Sequence, residues 1–361
     1  MRPTEPQPGR GVKGRRQARW LQLASMEPVP TATPSRPAPD AGPPPLLSEV
    51  VSTVACGLLL VVLTATLAVT TSAFQGPDAA VTLLVGAAVY SLLALGATAV
   101  MAAGRMDLSG AAVAAVAAVL AGKLAQAGVP LLIGFVAGAF AAAAIGAVSG
   151  LLAAVSRPAS FLVTLAVATV CLSLVVQLAG GSAGVVLPGG LGVRQLPLVV
   201  PGLLLAVLGA ALAVIALVSP SGHRLRWLGG EGEAGTPVRR LVLTMVVVYA
   251  CAAALAAGAG VLQLASIGGI FPGAYPIVSV QLQLGALVAA LLGGASLRGG
   301  RGSGYGAVAG ALVVTVLMQG MVSVLGNPVV LVGPFLWTAT MAAALVVAVL
   351  LDELRSRVLP A

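Results

Sequence analysis

Apolar residues run through this chain in blocks of about twenty, the length a helix needs to cross a hydrocarbon core of about 30 Å. Polar residues are largely confined to the gaps between them. Ten blocks can be drawn: Val50–Thr70, Ala79–Ala103, Leu108–Gln126, Leu131–Val155, Phe161–Ala179, Leu198–Val218, Leu241–Leu264, Val280–Leu292, Tyr305–Leu325 and Val329–Leu351. The eighth is short and carries Gln281 and Gln283, so it is expected to enter the bilayer only partway. Residues 1–46 are rich in Pro, Ala, Thr and Arg with no apolar period, a composition that cannot bury enough surface to fold. The pattern therefore predicts an all-α polytopic membrane protein, with a disordered tail over 1–46 and a transmembrane domain over 47–361. The tail lacks the apolar core of a cleavable signal, and Met26 offers a second candidate start.

Composition and charge sharpen this picture. Hydrophobic residues make up 59% of the 361 and charged residues 8%, with a mean hydropathy of +1.07, which excludes a water-soluble globular domain. Ten spans put both termini on one side. With the tail inside, seventeen of the nineteen basic residues fall on inner segments and only Lys123 and Arg194 on outer loops, so both termini are expected to be cytoplasmic. That asymmetry accounts for the net charge of +9 without nucleic acid. Cys56, Cys171 and Cys251 each lie in a different apolar run without metal-ligand spacing, and read as packing residues. The 46 glycines and long alanine stretches predict helices that approach closely.

One polar island separates the two apolar halves. The stretch 219–240 holds the only histidine, His223, with Arg224, Arg226, Glu231, Glu233, Arg239 and Arg240. It reads as a cytoplasmic loop presented to a protein partner, in preference to a bare orientation anchor, with Trp227 as a candidate interfacial anchor.

Much chemistry is missing. A P-loop needs a lysine followed by Ser or Thr, but Lys13 precedes Gly14 and Lys123 precedes Leu124, so the chain is not expected to hydrolyse ATP. All ten acidic residues lie in the tail, in loops or at span ends, which argues against an ion-coupled carrier. No paired carboxylates, nucleophile with base, or zinc constellation is present, so no catalytic or metal site is expected. The glycine-rich stretch 299–306 reads as a tight inner turn. Gln177, Gln263, Gln281, Gln283 and Gln319 stand at membrane depth. They can bond a polyhydroxy solute along a weakly polar path, although bonding a neighbouring helix, a contribution of about 0.6 kcal/mol, carries the larger share. Asp107 or Ser109 can cap the third helix, the favoured reading, or contact a partner.

Three motifs, in order, carry a resemblance. The segment Gly104-Arg105-Met106-Asp107-Leu108-Ser109 comes first, then Gly146-Ala147-Val148-Ser149-Gly150 running on to Phe161 and Thr164-Leu165. The third is Leu292-Gly293-Gly294-Ala295-Ser296-Leu297-Arg298-Gly299-Gly300-Arg301-Gly302. Together they resemble bacterial ABC-importer permeases of the ribose and monosaccharide type, relatives of branched-chain amino acid permeases. The resemblance implies a multi-pass subunit of the bacterial plasma membrane that pairs with a second permease as a homo- or heterodimer. It also implies docking of a cytoplasmic ATPase dimer, which carries the ATP and magnesium, and receipt of solute from an extracytoplasmic binding protein.

The family docks its ATPases through a short helix between spans six and seven, which here maps to the polar island. Gly222, His223, Arg224, Arg226, Leu228, Gly229, Gly230, Glu233, Ala234 and Gly235 are its candidate coupling residues, and Glu233-Ala234-Gly235 is similar to the family's glutamate-alanine-alanine helix. Arg298 and Arg301 serve equally as ATPase contacts or as anchors. The chain departs from the family pattern at Leu172-Ser173 in the fifth span, at Gln283 and Gly285 in the eighth, and at Pro237, which disfavours a continuous coupling helix. Import of a nucleoside or a branched-chain amino acid on the same fold, and a structural subunit without transport of its own, stay open as alternatives.

Overall fold

The structure is a computed structural model that describes residues 46–70, 77–156, 159–181, 184–187, 196–233, 235–270, 275–325 and 333–358. Among these the helices are α1 (Leu46–Thr70), α2 (Pro77–Ala102), α3 (Gly110–Gln126), α4 (Leu131–Val155), α5 (Ser160–Ala179), α6 (Leu196–Val218), α7 (Pro220–Trp227), α8 (Val238–Ile267), α9 (Tyr275–Leu292), α10 (Gly304–Leu325) and α11 (Gly333–Val358). A single π turn, Leu228–Gly232, follows α7. The expectation of an all-α membrane protein holds.

Among the described residues, eight helices are long and apolar enough to cross a membrane. Every expected span is represented by a helix, but two are short. α9 was expected to be; α3 was not. The third block was drawn from Leu108, whereas its helix begins at Gly110 and runs for 17 residues. The preceding segment 103–109 takes non-helical backbone within the bundle instead, a course tolerated only where protein groups satisfy it.

α8 runs through the middle of the bundle, against α4, α2 and α3. Small residues let the backbones meet: Gly146 of α4 lies on the carbonyl of Tyr249, and Gly150 on that of Met245. A side chain at Gly260 would fall on the Ala114 carbonyl of α3. Overpacking of this kind costs about 1–3 kcal/mol. A Gly260→Val chain is therefore expected to insert but to melt at a lower temperature in detergent than one carrying Gly57→Ala, whose site in α1 has open space around it.

The large apolar side chains left on the outside, among them Val61 of α1, Phe140 of α4, Leu162 of α5, Leu204 of α6 and Val346 of α11, suit a lipid-facing surface.

Connections gather at two ends. At one, α5 and α8 both stop on left-handed glycines, Gly180 (φ 82°) and Gly268 (φ 78°). The chain beyond each enters a two-stranded antiparallel ribbon, β1 (Val185–Val186) with β2 (Gly269–Ile270). Gln126 at the end of α3 donates to the Val186 carbonyl at 3.0 Å. α7 and the π turn lie at the other end, beside the loops that follow α2 and α9. That end carries the polar chemistry.

Candidate functional site

The polar island folds as a bracket against the bundle. α6 gives way to α7 through one residue, Ser219, in extended conformation (φ −69°, ψ 170°), with Pro220 opening the new helix. Gly222 presses on the Leu217 carbonyl, so no side chain fits there. Leu225 and Leu228 are buried beneath the bracket, whereas Ser221, Arg224, Gly230 and Gly235 are exposed. Trp227 folds back over Gly232 and joins the partly buried rim of the core instead of reaching outward. Pro237 does not break a helix. The π turn has already ended α7, and Pro237 (φ −54°, ψ 133°) stands as the N-cap of α8.

Arg226 is a bolt. Its buried guanidinium donates to the Leu217 carbonyl at 3.2 Å, the Gly302 carbonyl at 3.0 Å and His223 Nδ1 at 3.1 Å. The bracket is thereby tied to the end of α6 and to the loop between α9 and α10. Replacing one member of a buried charged network leaves its partners unsatisfied. An Arg226→Met chain is expected to be cut by protease within 219–233 faster than the parent, with membrane insertion unchanged.

Glycine backbones make the next contact. Gly104 (φ 73°) follows α2, Gly229 lies in the π turn, and Gly299 (φ 84°) and Gly300 (φ 77°) lie after α9. A side chain on Gly229 would strike the Ala102 carbonyl and the Gly104 amide, and one on Gly299 would strike Gly229 and Gly104. The Gly300 amide donates to the Ala102 carbonyl at 3.2 Å. Three separate chain segments thus meet with no side chain between them.

An ion pair reinforces that junction. Arg105 forks onto Glu233, Nη1 to Oε2 at 3.1 Å and Nη2 to Oε1 at 2.9 Å, while its Nε donates to the Ala153 carbonyl of α4 at 3.2 Å. The Arg105 side chain is fully buried and that of Glu233 is 13% exposed. From sequence Arg105 is an inner positive charge within the Gly104–Ser109 motif, with no partner indicated.

From Arg105 the chain enters the bundle. The Met106 carbonyl accepts from Tyr249 of α8 at 3.4 Å, and the Leu108 amide donates to Thr164 of α5 at 3.0 Å. Asp107 Oδ1 accepts from the Ser109 amide at 2.7 Å and the Ser109 hydroxyl at 2.6 Å. Gln283 of α9 closes the set: its amide nitrogen donates to the Asp107 carbonyl at 3.0 Å and its oxygen accepts from the Ala111 amide at 2.9 Å. The first turn of α3 is therefore capped in part by a side chain 172 positions away. At 1.5 Å per residue, Gln283 lies about 14 Å along α9 from its last residue, and Tyr249 about 16 Å along α8 from its first. Asp107 sits in a loop, as expected, but that loop is inside the bundle.

The remaining candidates are dispersed. Gln177 is exposed on α5, Gln263 of α8 and Gln319 of α10 are half-buried, and Gln281 is buried with its amide on Thr338 of α11 at 3.2 Å. Gly293 meets the Gly306 backbone, and Gly294 (φ 96°) faces Ser52 of α1. Arg298 is exposed and paired with Glu353 at 2.7 Å, and Arg301 lies 3.7 Å from Asp352. The buried Asp352 also accepts from the Leu297 amide at 3.0 Å and the Ser296 hydroxyl at 3.2 Å, and Arg355 donates to the Leu291 carbonyl at 2.9 Å. The end of α11 thus holds the loop after α9, a role that sequence reading did not give it. Ala234 and the Glu231 side chain lie outside the described residues. Among the described residues no group of His, Cys, Asp and Glu could hold a metal ion. A cavity of about 310 Å³ opens between α2, α4, α6 and α8, but it is lined only by apolar residues such as Leu92, Phe135, Leu205 and Val261. Nothing in its lining bonds a polyhydroxy solute.

Comparison with known proteins bears on what this arrangement serves. The model of the family described as branched-chain amino acid transport system / permease component matches residues 79–351. A ribose import permease protein of Bacillus subtilis is 31% identical over 293 residues, covering 78% of this chain and 87% of that protein. A xylose transport system permease protein of Haemophilus influenzae is 34% identical over 125 residues, covering 34% of this chain and 32% of its own length. A probable ABC transporter permease protein of Escherichia coli is 32% identical over 136 residues, covering 37% of this chain and 39% of that protein. No solved structure matches.

Proposed function

Because the chain belongs to the family of branched-chain amino acid transport system permease components, we propose that it is the membrane subunit of an ATP-driven importer for a monosaccharide. In this reading residues 219–240 are the cytoplasmic coupling segment, and a separate ATPase dimer docks on the exposed side that carries Ser221, Arg224 and Gly230. ATP binding closes that dimer, the segment shifts, and the bundle alternates between outward- and inward-facing states. The chain supplies no hydrolytic chemistry of its own. A second permease subunit completes the pathway, and a binding protein on the far side of the bacterial plasma membrane delivers solute. With solute delivered from outside, the path needs little affinity, which fits glutamines dispersed over α5, α8, α9 and α10.

One observation carries the proposal: α7 with its π turn, which stands outside the membrane helices, is locked through Arg105–Glu233 and the glycine contacts to the loops that enter the bundle. A solvated loop serving only to orient the chain has no need of that linkage. Sugar as solute is supported by the ribose and xylose permeases it resembles, whereas the family description favours a branched-chain amino acid as the second reading. Gentle extraction of a tagged chain from native membranes is expected to bring down an ATPase and a solute-binding protein in stoichiometric amounts. The binding protein's ligand then separates the two readings. Recovery of neither protein sinks the importer assignment.

A further inference from the structure

We infer that the Arg105–Glu233 ion pair is the linkage that carries displacement of the coupling segment into α3 and α9, and so is a positioning pair, not a docking charge. This rests on the reading of 219–240 as that segment.

Glu233 closes the π turn at the far end of the bracket, and Arg105 lies in the short joint between α2 and α3. Neither charge is presented outward: the Arg105 side chain is fully buried and Glu233 is 13% exposed. A guanidinium gripping both carboxylate oxygens fixes orientation as well as distance, which a point charge does not. The joint has no slack, since Gly104 already touches Gly229 and Gly299, and Arg105 Nε is held by the Ala153 carbonyl at 3.2 Å. What moves Arg105 therefore moves the rest of the joint. Asp107 bonds Ser109 at the start of α3, and Gln283 bonds both Asp107 and Ala111, so displacement passes to α3 and α9 together. α4 receives it at Ala153. A surface strut would show one of these contacts, whereas this pair begins an unbroken series from the bracket to the first turn of α3 and the middle of α9.

The test uses the full chain in lipid nanodiscs with the ATPase that co-purifies with it, in a Cys251→Ala background that removes the exposed thiol. Spin labels at Ala127→Cys and Gln177→Cys report the separation of the ribbon ends of α3 and α5, both exposed positions. In the parent, ATP with vanadate is expected to shift that distance. Arg105→Lys, which keeps the charge but loses the fork, is expected to keep the ATPase bound with ATP hydrolysis within about twofold. The vanadate shift should disappear in that variant and in Glu233→Gln, since coupling free energies can be removed without removing binding. The exchanged pair, Arg105→Glu with Glu233→Arg, is expected to restore the shift in part, since a carboxylate at position 105 cannot donate to the Ala153 carbonyl.

Persistence of the shift in both single variants overturns the proposal. So does its absence in the parent with ATPase bound. A loss that simply tracks failed ATPase assembly, unrelieved by the exchange, assigns the pair to folding alone and also overturns it. Recovery of no ATPase with the parent chain is a different failure, that of the importer reading itself.

Discussion

A Gly229→Val chain will reach the membrane in normal amounts but will lose its partner ATPase and transport at least about tenfold less solute, an effect in the range of known coupling free energies. The apolar blocks that drive insertion are untouched by the change. The side chain, however, would lie on the Ala102 carbonyl and the Gly104 amide, both backbone atoms that cannot rotate aside. Gly104 is itself packed against Gly299 and has no room to give way. The π turn must lift instead, and that separates Glu233 from Arg105 and Arg226 from Gly302. Trypsin checks this directly. The parent presents Arg224, Arg239 and Arg240 but buries Arg226, so the variant should gain cleavage after Arg226. A parent-like digest with full ATPase recovery would show that the three loops do not act as one junction. Gly57→Ala, at a glycine of α1 with open space around it, is the control and should change neither readout.

Gln283→Leu will destabilise the bundle more than any other glutamine substitution among the five candidates. It strips the acceptor from the Ala111 amide and the donor from the Asp107 carbonyl at once. Each buried group left unsatisfied costs about 1–3 kcal/mol, and at this depth water is a poor substitute. Hydrogen exchange is the sensitive probe. The Ala111 amide should exchange faster in the variant, whereas Gln177→Leu, at an exposed position, should leave it unchanged. Were Gln283 instead a solute contact only, the substitution would lower transport with no change in exchange or melting temperature.

These two residues show where sequence reading succeeds and where it stops. The ten apolar blocks were legible because lipid forces every backbone group to bond within its own helix, which makes span length nearly obligatory. The bracket was legible because charge has few other places to go. The start of α3 was misplaced because Leu108 is apolar and continues the block without a visible break; the available signal was the Gly104 to Ser109 stretch, a left-handed glycine and an Asp-x-Ser turn. Gln283 does bond a neighbouring segment, at Asp107 and Ala111, but those partners are remote in sequence and could not be named from it. Arg105 and Glu233 were each read alone, one as topology and one as docking. Two isolated charges bordering apolar spans are a reason to look for each other, yet only the fold brings them to 2.9 Å. The tail over 1–46 falls almost wholly outside the described residues, and the side of the membrane on which the termini lie stays an expectation.

The length of α8 has a mechanical consequence. Its 30 residues extend about 45 Å, half as long again as a hydrocarbon core of about 30 Å. The excess must be taken up by tilt or by overhang, and Val238, Arg239 and Arg240 at its first turn are all exposed. α8 starts one residue after Pro237, so the bracket hangs from the tip of a long rigid rod whose fulcrum is the glycine-faced stretch around Tyr249 and Ala253. A rotation of roughly ten degrees about its midpoint sweeps that tip by about 4 Å. Leverage of this kind converts a shift at the tip comparable to an atomic diameter into a rocking of the whole rod. It does so without bending any helix.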